Sequence, residues 1–325
     1  MKKVLKITGY VVVALVAVVG AGIIYLQYAF PNVDAAPVIT IKKTPALVER
    51  GDYIANHVAV CIDCHSTRDF SRFSGPPDPK TTGKGGDKFD HSLGFPGTFY
   101  ARNITSDKET GIGTWTDGEV YRAITRGVSK DGNPLFPVMP YKSYSQMTTE
   151  DAYAVVAYIR TLAPIKHKVQ ASDPDFPVNL IMRTMPSNDT PSMLVKTALN
   201  DDVSKGEYLL TIAACNDCHT QQDKEGMRLA GGMEFPTPDG GKLRSANITP
   251  DNETGIGKWT EEAFVQRFKM HENPAVVPAG GPNTIMPWSM YAGMKEEDLR
   301  SIYKYLRTVE PVSNKMERFT PPAKS

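Results

Sequence analysis

The chain carries almost no net charge, +1 over 325 residues, and no polybasic tract. Its charge balance gives no reason to invoke a nucleic-acid partner. Cysteine is scarce too. The four that occur, Cys61, Cys64, Cys215 and Cys218, all fall in two pentapeptides, which leaves none for any other task. No βαβ pattern accompanies them, so the usual setting of a thioredoxin-like dithiol is missing. About 150 residues separate the two pairs, which makes a shared four-ligand zinc site a poor second reading.

What is present is Cys61-Ile62-Asp63-Cys64-His65, answered by Cys215-Asn216-Asp217-Cys218-His219. A C-x-x-C-H box reads as an attachment site for c-type haem. Two thiols one helical turn apart can form thioethers to the two vinyl groups of one porphyrin. The adjacent histidine then lies beneath the iron as proximal ligand. Two boxes with no cysteine left over imply two covalently bound haem c groups, with His65 and His219 on the metal.

The duplication extends well beyond the boxes. Residues 103–116 recur as residues 247–260 with differences only at Ser106, Lys108 and Thr114. Upstream, Arg50-Gly51-Asp52-Tyr53 matches Lys205-Gly206-Glu207-Tyr208; downstream, Met139-Pro140-Tyr141 matches Met286-Pro287-Trp288. Each half closes in one more apolar-periodic segment, 148–162 or 295–309. This is the repeat of a whole domain, not a short-period solenoid. Residues 47–60 and 203–214 read as helices leading into the boxes, with Gly51 and Gly206 near their starts. A helical glycine costs about 1 kcal/mol against alanine. Its double occurrence suggests a close helix crossing, with Tyr158 or Tyr305 lying across the gap. The stretch between box and Asn-Ile-Thr run is about ten residues longer in the first half. That extra loop is expected at a haem edge or a partner surface.

Lys2, Lys3 and Lys6 precede residues 7–30, which hold no charge. The length suits a transmembrane helix of about 20 apolar residues better than a cleaved signal, whose apolar region runs about 7 to 15. Lysines before the helix and none directly after it place the N-terminus in the cytoplasm and export the rest. The expected architecture is mainly α: a transmembrane anchor (1–30), a Pro-containing tether (31–44), a first domain (45–167), a linker (168–200), a second domain (201–312) and a tail (313–325). Each domain has a modest core that a buried porphyrin would enlarge. Twenty-five prolines and twenty-six glycines suit short helices and long loops around a cofactor.

On the boxes, the Asn-Ile-Thr-x-Asp-x-x-Thr-Gly-Ile-Gly-x-Trp-Thr run and the Met-Pro-Tyr or Met-Pro-Trp segment, the chain resembles a family of membrane-anchored cytochromes c. The family is related to the cytochrome subunits of bacterial alcohol and aldehyde dehydrogenase complexes. The resemblance covers residues 47 to about 311. It implies two tandem cytochrome c domains behind one membrane helix. It also implies a sixth iron ligand from a methionine ahead of each terminal helix, and Met139 and Met286 stand there. The proline after each biases that methionine towards an extended conformation. Met147 and Met294 also repeat and are expected in the core. Asn103 and Asn247 are expected to bind haem propionates or to hold a turn, and Trp115 and Trp259 to pack on a porphyrin or donate to a propionate. Thr116 and Thr260 are expected as helix caps. His57, His91, His167 and His271 lack counterparts and are expected mostly on the surface.

The implied activity is single-electron transfer at the outer face of a bacterial cytoplasmic membrane, from a dehydrogenase or quinol-oxidising partner to a carrier or terminal oxidase. The protein would thus be no enzyme itself. Subunits of the family often carry three haem domains, and this chain has two. Dihaem peroxidases also have two such boxes, but they need one iron with an absent or displaceable sixth ligand. Thiosulfate-oxidising cytochromes use an axial cysteine, which this chain cannot spare.

Overall fold

A computed structural model describes residues 2–188, 199–237, 240–278 and 283–322. Helix α1 (Lys2–Ala29) contains an 18-residue stretch of mean hydropathy 2.5 and buries none of its residues. At 1.5 Å per residue it is about 42 Å long, more than the ~30 Å hydrocarbon core of a bilayer. Among the described residues it is the one helix long and apolar enough to cross a membrane.

The regular structure of the remainder is mainly helical and is built twice. In the first half, α2 (Pro45–Tyr53) starts at Thr44, whose hydroxyl accepts the Leu47 N–H, with Pro45 in the first turn. It continues into a wider turn, Ile54–Val58, closed by the Ala59 N–H donating to Ile54 O at 2.7 Å. The box forms α3 (Cys61–Cys64). Strands β1 (Lys88–Phe89) and β2 (Gly97–Tyr100) pair antiparallel. Then follow α4 (Asp117–Arg126), α5 (Tyr141–Tyr144) and α6 (Thr149–Ile159). Thr116 and Glu119 form a reciprocal capping box at the start of α4, bearing out Thr116 as a cap.

Between the halves stand β3 (Asp173–Pro174), which adds antiparallel to β2, and α7 (Val178–Ile181). The second half repeats the order. It has α8 (Asp202–Ile212), the box helix α9 (Cys215–His219), and strands β4 (Glu234–Pro236) and β5 (Lys242–Arg244). It closes with α10 (Glu261–Lys269), α11 (Trp288–Tyr291), α12 (Glu296–Leu306) and β6 (Phe319–Thr320), which pairs with β5. Thr260 caps α10 by accepting the Ala263 N–H. The stretches expected as linker and tail therefore each supply an edge strand. Residues 189–198 of the expected linker lie outside the described ones.

Each half is organised on one helix crossing. Helix α6 packs across α2, and α12 across α8. A Cβ placed on Gly51 would lie 1.9 Å from Ala154 O and 2.8 Å from Tyr158 Cβ. One on Gly206 would lie 1.9 Å from Ser301 O and 2.9 Å from Tyr305 Cβ. The paired glycines exist because the facing backbone occupies the space a side chain needs, and the tyrosines cross the gap as expected.

The halves meet across a seam with approximate two-fold character. Buried Asp151 accepts Arg50 Nε and Nη2 at 2.8 and 2.7 Å and the Tyr208 hydroxyl of the other half at 2.6 Å. Buried Asp298 takes Lys205 Nζ at 2.5 Å and the Tyr53 hydroxyl at 2.5 Å. Each tyrosine oxygen in turn accepts a backbone N–H across the seam, from Thr148 or Lys295. Burial holds both phenols well above their usual range, so they remain hydrogen-bond donors.

Replacing Gly51 or Gly206 by alanine should force a helix pair apart and cost about 3 kcal/mol of unfolding free energy, the upper end for overpacking. Gly20→Ala, where nothing stands within 4 Å, should leave stability unchanged. Chemical denaturation of the three variants side by side checks this.

Candidate metal centres

Each box is aimed by a strained residue. Val60 (φ +47°) and Ala214 (φ +55°) adopt left-handed backbone immediately before the first cysteine. For a β-branched valine this conformation is uncommon and costs about 1–3 kcal/mol. The reversal ends the entry helix and starts the box helix in a new direction, carrying both thiols on one short turn. Sequence reasoning had run the helix straight on into the box.

The box histidines are held alike. His65 Nδ1 lies 2.6 Å from Arg102 O, and His219 Nδ1 lies 2.8 Å from Ala246 O. A ring that gives its Nδ1 hydrogen to a carbonyl keeps a lone pair on Nε2, the arrangement a metal-ligating histidine requires. Burial lowers both imidazole pKa values and favours that neutral form. Burial also pushes the Cys61 and Cys215 thiols up to about 12 and raises Cys64. A redox-active dithiol needs its thiolate stabilised, and these pairs have the opposite setting. Among the described residues, no three His, Cys, Asp or Glu side chains converge as a metal cage, which disfavours the zinc reading.

Met139 and Met286 are partly buried and packed on the core that the box helices share. The proline after each sits at φ −78°, ψ 55° or φ −79°, ψ 61°, the geometry of an inverse γ-turn. The methionine carbonyl accordingly accepts the N–H two residues on, Tyr141 at 2.7 Å or Trp288 at 2.8 Å. Five residues after each methionine, a buried tyrosine returns to the end of the entry helix. Tyr144 donates to Ala59 O and Tyr291 to Ala213 O, both at 2.7 Å. These two bonds bring the methionine turn to the box in each half. Sequence reasoning missed the tyrosines, although their equal offset from the two Met-Pro pairs was readable. Met147 and Met294 are fully buried in the core, as expected.

The donor set fits haem c. Each half presents two thiols on one helical turn, an adjacent histidine with Nε2 free, and a methionine turn tied to the same helix. Cys61, Cys64, His65 and Met139 could hold one group, and Cys215, Cys218, His219 and Met286 another.

Asn103 and Asn247 hydrogen-bond within the chain. Asn103 Oδ1 accepts the N–H and hydroxyl of Thr105, while its Nδ2 donates to Ile165 O, His167 O and Thr110 Oγ1. Asn247 repeats this with Thr249, Val312 O and Thr254 Oγ1. Both are buried. Each clamps the Asn-Ile-Thr loop to the chain that leaves the terminal helix, the turn-holding role. Trp115 packs on the core, while Trp259 is exposed, so the two do not share one environment. Two histidines expected on the surface lie at contacts between the halves instead. His57 Nδ1 is 3.0 Å from Met290 O, and His271 is flanked by the rings of Phe73 and Trp288. His91, by contrast, is exposed and faces Asp175.

No protein-family model matches the chain. It is 29% identical over 290 residues to the cytochrome c subunit of an alcohol dehydrogenase (quinone) of Gluconacetobacter polyoxogenes, covering 85% of this chain and 58% of that protein. Against the gluconate 2-dehydrogenase cytochrome c subunit of Pantoea cypripedii it is 27% identical over 281 residues, covering 81% and 60%. A diheme cytochrome c-type protein of Cereibacter sphaeroides is 27% identical over 261 residues, covering 78% of this chain and 82% of that one. The chain thus spans under two thirds of the dehydrogenase subunits it matches and most of the diheme protein.

Asn103→Ala or Asn247→Ala should leave buried partners unpaired and cost about 2 kcal/mol of stability. The visible spectrum of the attached haem should not change. A spectral change without loss of stability would return these residues to the haem.

Proposed function

We propose that the chain is a membrane-anchored dihaem cytochrome c that passes single electrons. Two tandem cytochrome c domains, residues 45–167 and 201–312, would each hold one covalently bound haem c. The observation that carries this reading is the duplicated unit described above: box, histidine with Nδ1 engaged, and methionine turn joined to the box by a tyrosine bond. The similarity to cytochrome subunits of dehydrogenases supports it independently.

When bound, haem c supplies a one-electron iron couple; the protein supplies spacing, burial and axial ligands. His65 and His219 would present Nε2 from the box side. Met139 and Met286 would supply thioether sulfur, which favours the ferrous state and raises the potential. The second box lies against the first half: Ser143 donates to Asp217 at 3.2 Å. Such proximity suits transfer between the two sites.

With α1 across the bilayer once and Lys2, Lys3 and Lys6 on the cytoplasmic side, both domains would lie on the periplasmic face of a bacterial membrane. There they would accept electrons from a dehydrogenase or quinol-oxidising partner and deliver them to a carrier or terminal oxidase. Contact with the acceptor should be small and short-lived, as redox encounters usually are.

Met139→Ala and Met286→Ala should each remove about half of a weak charge-transfer band at about 700 nm in the oxidised protein. The reduced parent should bind carbon monoxide slowly at best and show no peroxidase turnover. Fast binding at one haem with peroxide-dependent oxidation of a reduced small cytochrome would replace the carrier with a dihaem peroxidase.

A further inference from the structure

The extra loop of the first half starts beside its own box, where Arg68 Nη1 lies 3.4 Å from Asp63 Oδ2, and then leaves it. Residues 69–75 reach across the molecule and pack on the methionine loop of the second half. The Phe73 N–H donates to Ala275 O at 2.8 Å and the Val277 N–H to Ser71 O at 2.8 Å, so Arg72 and Val276 pair as a short antiparallel bridge. Arg72 adds Nε and Nη2 bonds to Pro274 O at 3.1 and 2.9 Å. Asn283 donates to Phe70 O and Arg72 O, and its Oδ1 accepts the Ser74 N–H at 2.8 Å. Last, the Ser74 hydroxyl donates to Met286 O at 2.7 Å. Ser74 is fully buried and holds φ +71°, a conformation serine adopts only where its surroundings enforce it.

Among the described residues the first half has no equivalent. Its methionine loop is self-supporting: Val128 bridges Pro134 within the same loop, and the Leu135 N–H donates to Gly127 O. Phe136, whose carbonyl accepts the Met139 N–H, stacks on Phe99 of β2 with ring centroids 3.9 Å apart. In the second half, Asn283 stands three residues before the methionine, where the first half has Phe136. Support that is internal to one half is thus borrowed across the seam in the other.

We propose that residues 69–75 are a positioning element for the second metal centre, with Ser74 and Asn283 holding the Met286 turn. This rests on Met286 as sixth ligand of the second haem. The consequence is asymmetric. The loop ahead of the second iron's ligand is held by the first half, whereas the hydrogen bonds of the loop ahead of Met139, residues 127–139, stay within the first half among the described residues. Docking of the first domain therefore sets how firmly the second iron keeps its sixth ligand.

The test uses the full-length haem-loaded protein and added imidazole as competitor for the sixth position, followed in the oxidised absorption spectrum. Two haems that titrate separately are assigned with Met139→Ala and Met286→Ala. The double variant Ser74→Ala with Asn283→Ala should let imidazole into the second haem about tenfold more readily, the effect of losing hydrogen bonds worth about tenfold in an equilibrium. The first haem should titrate as in the parent. Ser74→Ala alone, the gentler change should the double variant fold poorly, should give about threefold in the same direction. Parent-like titration of the second haem, or an equal change at both, would overturn the proposal. A Met286→Ala protein that keeps its whole band at about 700 nm would overturn the ligand assignment, and this inference with it.

Discussion

Each half hangs on the crossing of the helix that enters its box and the helix that closes the domain. The crossing is possible at its observed depth only because Gly51 and Gly206 leave room for the carbonyls of Ala154 and Ser301. Everything near the box is referred to that contact. The entry helix sets where the left-handed residue turns the chain and hence where the thiols stand. It also offers the carbonyl, Ala59 or Ala213, that the tyrosine after the methionine turn finds. Were the helices to separate, histidine and methionine would lose their common reference.

The same helices build the seam. Asp151 and Asp298 begin the closing helices and are buried, so each must be satisfied by partners that are themselves fixed. One partner is a cation of the same half, Arg50 or Lys205. The other is a tyrosine of the opposite half. Stability within a half and docking between halves are therefore coupled through two carboxylates. Two repeats that might have been beads on a string become one assembly.

The attachment to α1 is also more than a tether. Arg183 donates to the carbonyls of Leu26, Gln27 and Phe30, groups that the end of a helix leaves without partners. The cation stands at the negative end of the helix dipole. The segment after the first half thus caps the end of α1 and ties it to the first half.

Much of this was legible in the chain. The boxes, the repeated Asn-Ile-Thr run, the Met-Pro pairs and the paired glycines are local patterns whose chemistry follows from residue type and spacing. Their double occurrence made each more specific. The long uncharged N-terminal run likewise needs no neighbours to be read, because its length and apolarity suffice to mark a possible membrane span. Other features depended on what each residue meets in three dimensions. The partners of Asn103 and Asn247, the carbonyls of Ile165 and Val312, lie some sixty residues downstream and could not be read from the run itself. Val60 gives no local sign of a left-handed turn, since a valine disfavours one and accepts it only under tertiary constraint. His57 and His271 have no counterparts because they serve the contacts between halves, where the repeat's symmetry is broken. The destination of the extra loop was beyond sequence reading for the same reason. Backbone pairing between residues about two hundred positions apart leaves no periodic trace, so only the tertiary structure decided that the first half supports the methionine turn of the second.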